Sequence, residues 1–349
     1  MNIQIHQEPD LIFETLGLLY VSCNMERNKQ ETIDELNKFG IDGEAFYTKH
    51  LKTIDKYVQA FLKHRNYKPE YAFFFEDGND SFFSVTLTLL CENEHWLNAA
   101  ELPAAEQIRA EVVDLLNSSP DAEDYDSRTK EAPPLDSLND VFAFLDQLPF
   151  DDSVKWKLMV FLKEPHRWLP LLISAVNDNL DAASKALKEV DKPLRKLVGD
   201  FVKSVDRRED EQFLKLVNLF AKEASVYPAL IMPLGQAMYR TKCYYGLYVD
   251  ALPMTGQADA DAREYLLVRL KALSDNSKLQ ILASLKSSPK YNLELAEQLG
   301  LSAATVSHHM NVLLACGLVG IDKRGGKVNY HLETEQLRKL VSDLEQFLL

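Results

Sequence analysis

Apolar positions recur at helical spacing through most of the first 250 residues. Leu11 to Val21, Glu44 to His64, Pro103 to Leu116, Leu135 to Leu148, Trp168 to Asn179, Ala182 to Phe201 and Glu211 to Ala224 each carry an apolar stripe backed by polar residues. Tyr71 to Glu76 and Ser81 to Leu90 flank Asp77-Gly78-Asn79-Asp80, and their Phe, Val and Thr content fits a hairpin or two helices equally. The pattern changes near the C-terminus. An amphipathic helix, Leu293 to Leu299, meets a Gly300-Leu301-Ser302 turn and then a second helix ending near Cys316. Val319 and Ile321, then Val328, Tyr330 and Leu332, alternate with polar residues around Gly325-Gly326, which reads as a hairpin. The predicted fold is mainly α: a helical body over 1–250, a connector over 251–262, and a winged helix-turn-helix domain over 263–349. In that architecture the second helix of the pair enters a DNA major groove.

The second helix bears this out residue by residue. Ser302 stands at the N-cap, with Leu301 and Val306 at the spacing of a hydrophobic staple. Val306, Met310, Leu313 and Leu314 share one stripe, predicted to face the core, with His309 on its shoulder. The opposite face carries Ala304, His308 and Asn311, flanked by Thr305 and Ser307. Short uncharged side chains suit close approach to base edges. Lys323, Arg324 and Lys327 cluster at the hairpin tip, within reach of a phosphate backbone.

Charge divides the chain in the same place. Residues 260–349 hold 11 Lys+Arg against 10 Asp+Glu, whereas residues 1–259 hold 28 against 43. An acidic body repels DNA, which leaves the near-neutral C-terminal domain as the contact surface.

Arg263 to Leu348 resembles the winged-helix domain of the ArsR/SmtB family of bacterial transcription regulators. The similarity rests on LKALSDNSKLQILASL (Leu270 to Leu285), LELAEQLGLS (Leu293 to Ser302), ATVSHHMNVLLACGLV (Ala304 to Val319) and GGKVNYHL (Gly325 to Leu332). It implies a dimer on a dyad-symmetric double-stranded DNA operator, usually as a repressor. Carried over position by position, the DNA-facing residues are Ser302, Ala304, Thr305, Ser307 and His308, with Lys323, Arg324 and Lys327 of the wing. The resemblance also implies that the terminal helices pair across a two-fold axis. The apolar stripes available for this are Leu266 and Leu270, and Leu337, Leu340, Val341 and Leu344. Two departures stand out. Ala303-Ala304 replaces the Gln-Ser of many members, which thins hydrogen-bond readout. Tyr291 and Leu293 occupy the positions of the Cys-x-Cys pair of metal-sensing members, and the C-terminal helix has no His, so no metal site is expected.

Chemistry elsewhere is sparse. The chain has no G-x-G-x-x-G, Walker-type G-K-[ST], H-E-x-x-H or G-x-S-x-G motif, and Glu92, Glu94 and His95 beside Trp96 read as a polar helix end. No enzymatic activity and no cofactor are expected. Cys23, Cys91, Cys243 and Cys316 are scattered without zinc spacing, and MNIQIHQEPD lacks a secretory pattern, so a cytoplasmic location away from membranes is expected. Ser118 to Pro134 reads as an acidic loop. Tyr227, Tyr239, Tyr244, Tyr245 and Tyr248, with Met232, Met238 and Met254, form either a packed core or the lining of a small-molecule effector pocket. Two functions are compatible with these features: a sequence-specific DNA-binding regulator, and a protein-interaction module built on a winged helix without DNA binding. The polar helix face and basic wing favour the first.

Overall fold

The structure, a computed structural model, describes residues 2–76, 80–117, 135, 137–148, 150–207, 213–214, 217, 223–252, 262–301, 303–324 and 327–349. The chain divides into two compact units. Residues 1–29, 52–202 and 222–247 form the first, and residues 30–51, 203–221 and 248–349 form the second.

Strand β1 (Asn2–Ile5) is followed by α1 (Leu11–Cys23), α2 (Met25–Lys38), α3 (Gly43–Phe46), a π turn (Tyr47–Leu51) and α4 (Lys52–Leu62). The ambiguous stretch after Pro69 is helical on both sides, as α5 (Ala72–Phe75) and α6 (Asp80–Glu92). Then come α7 (Ala105–Asn117), α8 (Leu138–Asp146), α9 (Asp152–Lys163), α10 (Pro165–Asn177), α11 (Leu180–Glu189) and α12 (Asp191–Arg207). The single helix expected over Ala182 to Phe201 is thus two helices meeting at Val190. Pro193 has no amide hydrogen to continue a helix but is tolerated in a first turn, so α12 starts just before it. The Ser118 to Pro134 loop, the Asp77 to Asn79 link and most of the connector lie outside the described residues.

The first unit also contains a sheet that helical periodicity did not predict. Its strands β1, β2 (Glu223–Ala229), β3 (Gln236–Met238) and β4 (Lys242–Gly246) run in the order β1-β2-β4-β3. Ala224, expected to end a helix, lies in β2; most of that predicted helix falls outside the described residues. The pairs β1–β2 and β2–β4 are parallel, with Tyr227 opposite Tyr244, and β3 is antiparallel to β4. The tyrosine-rich segment therefore builds this sheet. Tyr244 and Tyr245 are buried, Phe13 of α1 stacks on Tyr244 at 3.8 Å, and His6 stacks on Tyr227 at 4.0 Å.

Two carboxylates, one capping α1 and one within it, tie the helix to the sheet. Asp10 caps it, accepting from the Ile12 amide at 2.9 Å, and also receives the Lys242 ammonium at 2.7 Å and the Tyr244 hydroxyl at 2.9 Å. One turn later the fully buried Glu14 accepts from the Leu230 amide at 2.7 Å and the Ile231 amide at 3.1 Å. Burial outweighs these bonds and pushes the Glu14 carboxyl up from 4.5 to about 7. An acid whose folded pKa is raised contributes stability only while protonated. That contribution is complete below about 4.5 and is lost as pH rises through about 7. The loss should total roughly 3 kcal/mol. Glu14→Gln should flatten the dependence, measured as urea midpoints at about pH 5 and about pH 8. Equal pH slopes for the two proteins would refute this role.

The second unit contains α13 (Ala262–Leu273), α14 (Asn276–Leu285), α15 (Asn292–Leu299), α16 (Ala303–Ala315), β5 (Val319–Arg324), β6 (Lys327–Leu332) and α17 (Thr334–Leu348). Its core joins Leu266 of α13, Ile281 and Leu285 of α14, Leu295 of α15 and the inner face of α16. This is the expected helix-turn-helix followed by an antiparallel wing. Among the described residues, no helix is long and apolar enough to cross a membrane.

Candidate nucleic-acid interface

Local rules close α15 at both ends. The α15 N-terminus is closed by the Glu294 carboxylate, which accepts from the Tyr291 amide at 2.8 Å. At its other end Gly300 adopts φ +65°, and the Leu301 amide reaches back to the Ala296 carbonyl at 3.0 Å. This is a Schellman closure, which needs a left-handed residue that glycine supplies without steric cost. Ser284 Oγ donates to Gln298 Oε1 at 2.8 Å, fastening α14 to α15.

The inner face of α16 follows the predicted stripe. Val306, Met310 and Leu313 are fully buried, and Leu314 is half-buried against the same core. Leu301, the outer half of the expected staple, also packs on that core. Val312, which the stripe did not include, is buried too. On the other side Thr305 and Asn311 are exposed, Ser307 is partly exposed and His309 is half-buried. Ser302, the Gly325-Gly326 turn and the side chains of Ala304, His308, Lys323, Arg324 and Lys327 lie outside the described residues.

Gly317 closes α16 as Gly300 closes α15, and the chain enters the wing. Strands β5 and β6 pair in register from Val319 opposite Leu332 to Arg324 opposite Lys327, so the backbone brings all three basic positions to one end of the hairpin. Lys290 adds a two-bond bridge to Tyr330, with N–O distances of 3.0 and 2.9 Å, which anchors the base of the wing beside α15. His331 sits on β6 between Asp322 Oδ2 at 3.3 Å and Glu333 Oε1 at 3.2 Å. Gly320 leaves room for this cluster, since a Cβ there would collide with both His331 and Glu333.

Of the residues proposed for subunit pairing, Leu266 and Leu340 are buried within the chain's own core, and Leu270, Leu337 and Leu344 are partly buried against it. Val341 stands 58% exposed. Sequence reading missed Arg269 altogether. Its guanidinium is fully buried, donates to the Gln336 carbonyl at 2.5 Å, and among the described residues has no hydrogen-bond partner at Nε or Nη1. Nothing in a helical heptad marks one arginine as interior.

A short uncharged helix face, set by two capped turns beside a hairpin, defines a winged-helix DNA-binding regulator. The profile of the bacterial regulatory protein, arsR family, matches residues 275–320. The HTH-type transcriptional regulator CmtR of Mycobacterium tuberculosis (strain ATCC 25618 / H37Rv) is 37% identical over 90 residues, 26% of this chain and 76% of that protein. The regulator NmtR of the same organism is 33% identical over 85 residues, 24% of this chain and 71% of NmtR. The transcriptional repressor SdpR of Bacillus subtilis (strain 168) is 28% identical over 78 residues, 22% of this chain and 87% of SdpR. No solved structure matches the chain. The chain belongs to the arsR family of bacterial transcription regulators.

Proposed function

We propose that this regulator represses transcription as a homodimer on an inverted-repeat operator, with α16 reading base edges and the wing holding phosphates. The observation that carries the reading is the outer face of α16, where Thr305, Ser307 and Asn311 present short uncharged donors and acceptors beside a basic hairpin. Ser302, Ala304 and His308 complete the reading face, and Lys323, Arg324 and Lys327 supply the phosphate contacts. The charge balance supports the same surface, because the remainder of the chain is strongly acidic. The helical first unit is the proposed seat of a small-molecule effector that shifts the DNA-binding equilibrium. A gel shift on the DNA upstream of the protein's own gene tests the reading. A band that survives excess unrelated DNA supports it, and binding indifferent to sequence counts against it.

Control by metal through thiolate ligands at the start of α15 does not fit this chain. Tyr291 caps that helix and Leu293 is a partly exposed aliphatic side chain, so neither offers a soft donor. Stoichiometric zinc, cadmium, nickel or arsenite should leave operator affinity unchanged in the same gel shift. A tight site whose occupancy releases DNA would overturn this part of the proposal.

A further inference from the structure

The corner at the end of α2 belongs to the second unit and touches the first helix of the winged fold. Phe39 and Ile41 pack against the winged core, and the Lys271 ammonium of α13 donates to the Gly40 carbonyl at 2.8 Å. The corner is built rigidly. Gly40 takes φ +84° and closes α2, with its own amide bonded to the Asn37 carbonyl at 2.9 Å and the Ile41 amide bonded to the Leu36 carbonyl at 3.0 Å. The next turn is held by Asn37 Oδ1, which accepts from the Gly43 amide at 3.0 Å, and by Asp42, which caps α3 through the Ala45 amide at 3.0 Å. Gly43 itself lies so close to the Ile33 carbonyl that no side chain fits there. Lys271 meets this corner where the last carbonyls of α2 concentrate negative partial charge, which favours an ammonium. A Cβ on Gly40 would collide with Lys271 Cδ, so Gly40 is fixed by its backbone angle and by the lysine lying across it.

We infer that the Phe39–Ile41 corner is a docking element for α13, latched by Lys271, and that it sets how firmly the winged unit holds DNA. The DNA-binding unit is then discontinuous in sequence: it needs residues near position 40 as well as the C-terminal segment. The chain passes from the first unit to the second between Lys29 and Gln30, inside α2, and the corner lies at the end of that helix. The part of the inference that concerns DNA rests on the function proposed above; the docking part does not.

The test uses the full chain and two variants. Gly40→Ala displaces the lysine without changing charge, and Lys271→Met removes the latch while keeping the apolar stem on an exposed residue. Amide hydrogen exchange is read in α13, with α4 and α11 of the first unit as internal references. Operator affinity is read by gel shift. Both variants are expected to speed α13 exchange about tenfold, leave the references within twofold, and weaken operator binding about tenfold. Agreement of the charge-neutral variant separates loss of the latch from loss of a positive charge. Unchanged α13 exchange in both variants would overturn the docking element. Faster exchange with unchanged operator affinity would overturn its control of DNA binding. If the unaltered protein shows no sequence-specific binding, the proposed function fails while the exchange data still decide the docking.

Discussion

The double substitution Ser307→Ala with Asn311→Ala should abolish preference for the operator while leaving the winged unit folded. Both residues lie outside the Val306–Met310–Leu313 stripe, one turn apart on the same side of α16, and Asn311 is exposed. Alanine has high helix propensity, so the helix itself should lose nothing. Each lost base contact costs about 1–3 kcal/mol of discrimination, and two together bring specific binding down toward the non-specific level. Lys327→Ala should behave differently. It should weaken binding to all sequences and reduce the dependence of log K on log salt by about one phosphate's worth. The measurement is a salt titration of operator and scrambled DNA with each variant. If the wing variant lost sequence preference and the helix variant kept it, the assignment of readout to α16 and of positioning to the wing would be reversed.

The winged unit was legible in the sequence because its signals are local and agree with one another. The Gly300 turn, the Val306 stripe and the Gly317 stop each act within a few residues, and the alternation of Val319, Ile321, Val328 and Tyr330 fixes the hairpin register. The first unit lacked such signals. Strand β1 pairs with β2 from more than 200 residues away in parallel, with Asn2 opposite Glu223, and no short window records that neighbour. Pro228 sits inside β2, where a proline argues against a strand. Helix α2 escaped notice because MERNKQETIDELNK buries only Ile33 and Leu36, too few apolar positions to make a stripe. The corner at Gly40 was illegible for a related reason. A glycine after a helix announces a cap, yet nothing nearby announces that its carbonyl meets a lysine 231 positions later.

Amphipathicity also cannot say whether a stripe is covered by its own chain or by another, and α17 shows the consequence. From sequence, Leu340, Val341 and Leu344 looked equivalent as subunit contacts. In the structure Leu340 is 3% exposed within the chain's own core, whereas Val341 is 58%, Phe347 56% and Leu348 67% exposed. Leu340→Asp should therefore act on folding. A carboxylate placed in that core has no partner, and the loss should be about 4 kcal/mol or more, seen as loss of cooperative unfolding in the C-terminal unit. Val341→Asp with Leu348→Asp should act on assembly instead, because both side chains already face solvent in the single chain. In the proposed dimer, a second copy covers exposed apolar residues of this helix and Leu267 of α13, which is 46% exposed. In that proposed dimer, two-fold pairing through these helices would set the recognition helices roughly 34–36 Å apart, one turn of DNA. The outer-face variant should keep its circular dichroism spectrum and thermal midpoint, run as a monomer in light scattering at micromolar concentration, and lose tight binding to a two-site operator. An intact protein that is itself monomeric under those conditions and binds a single half-site tightly would sink the proposed dimer.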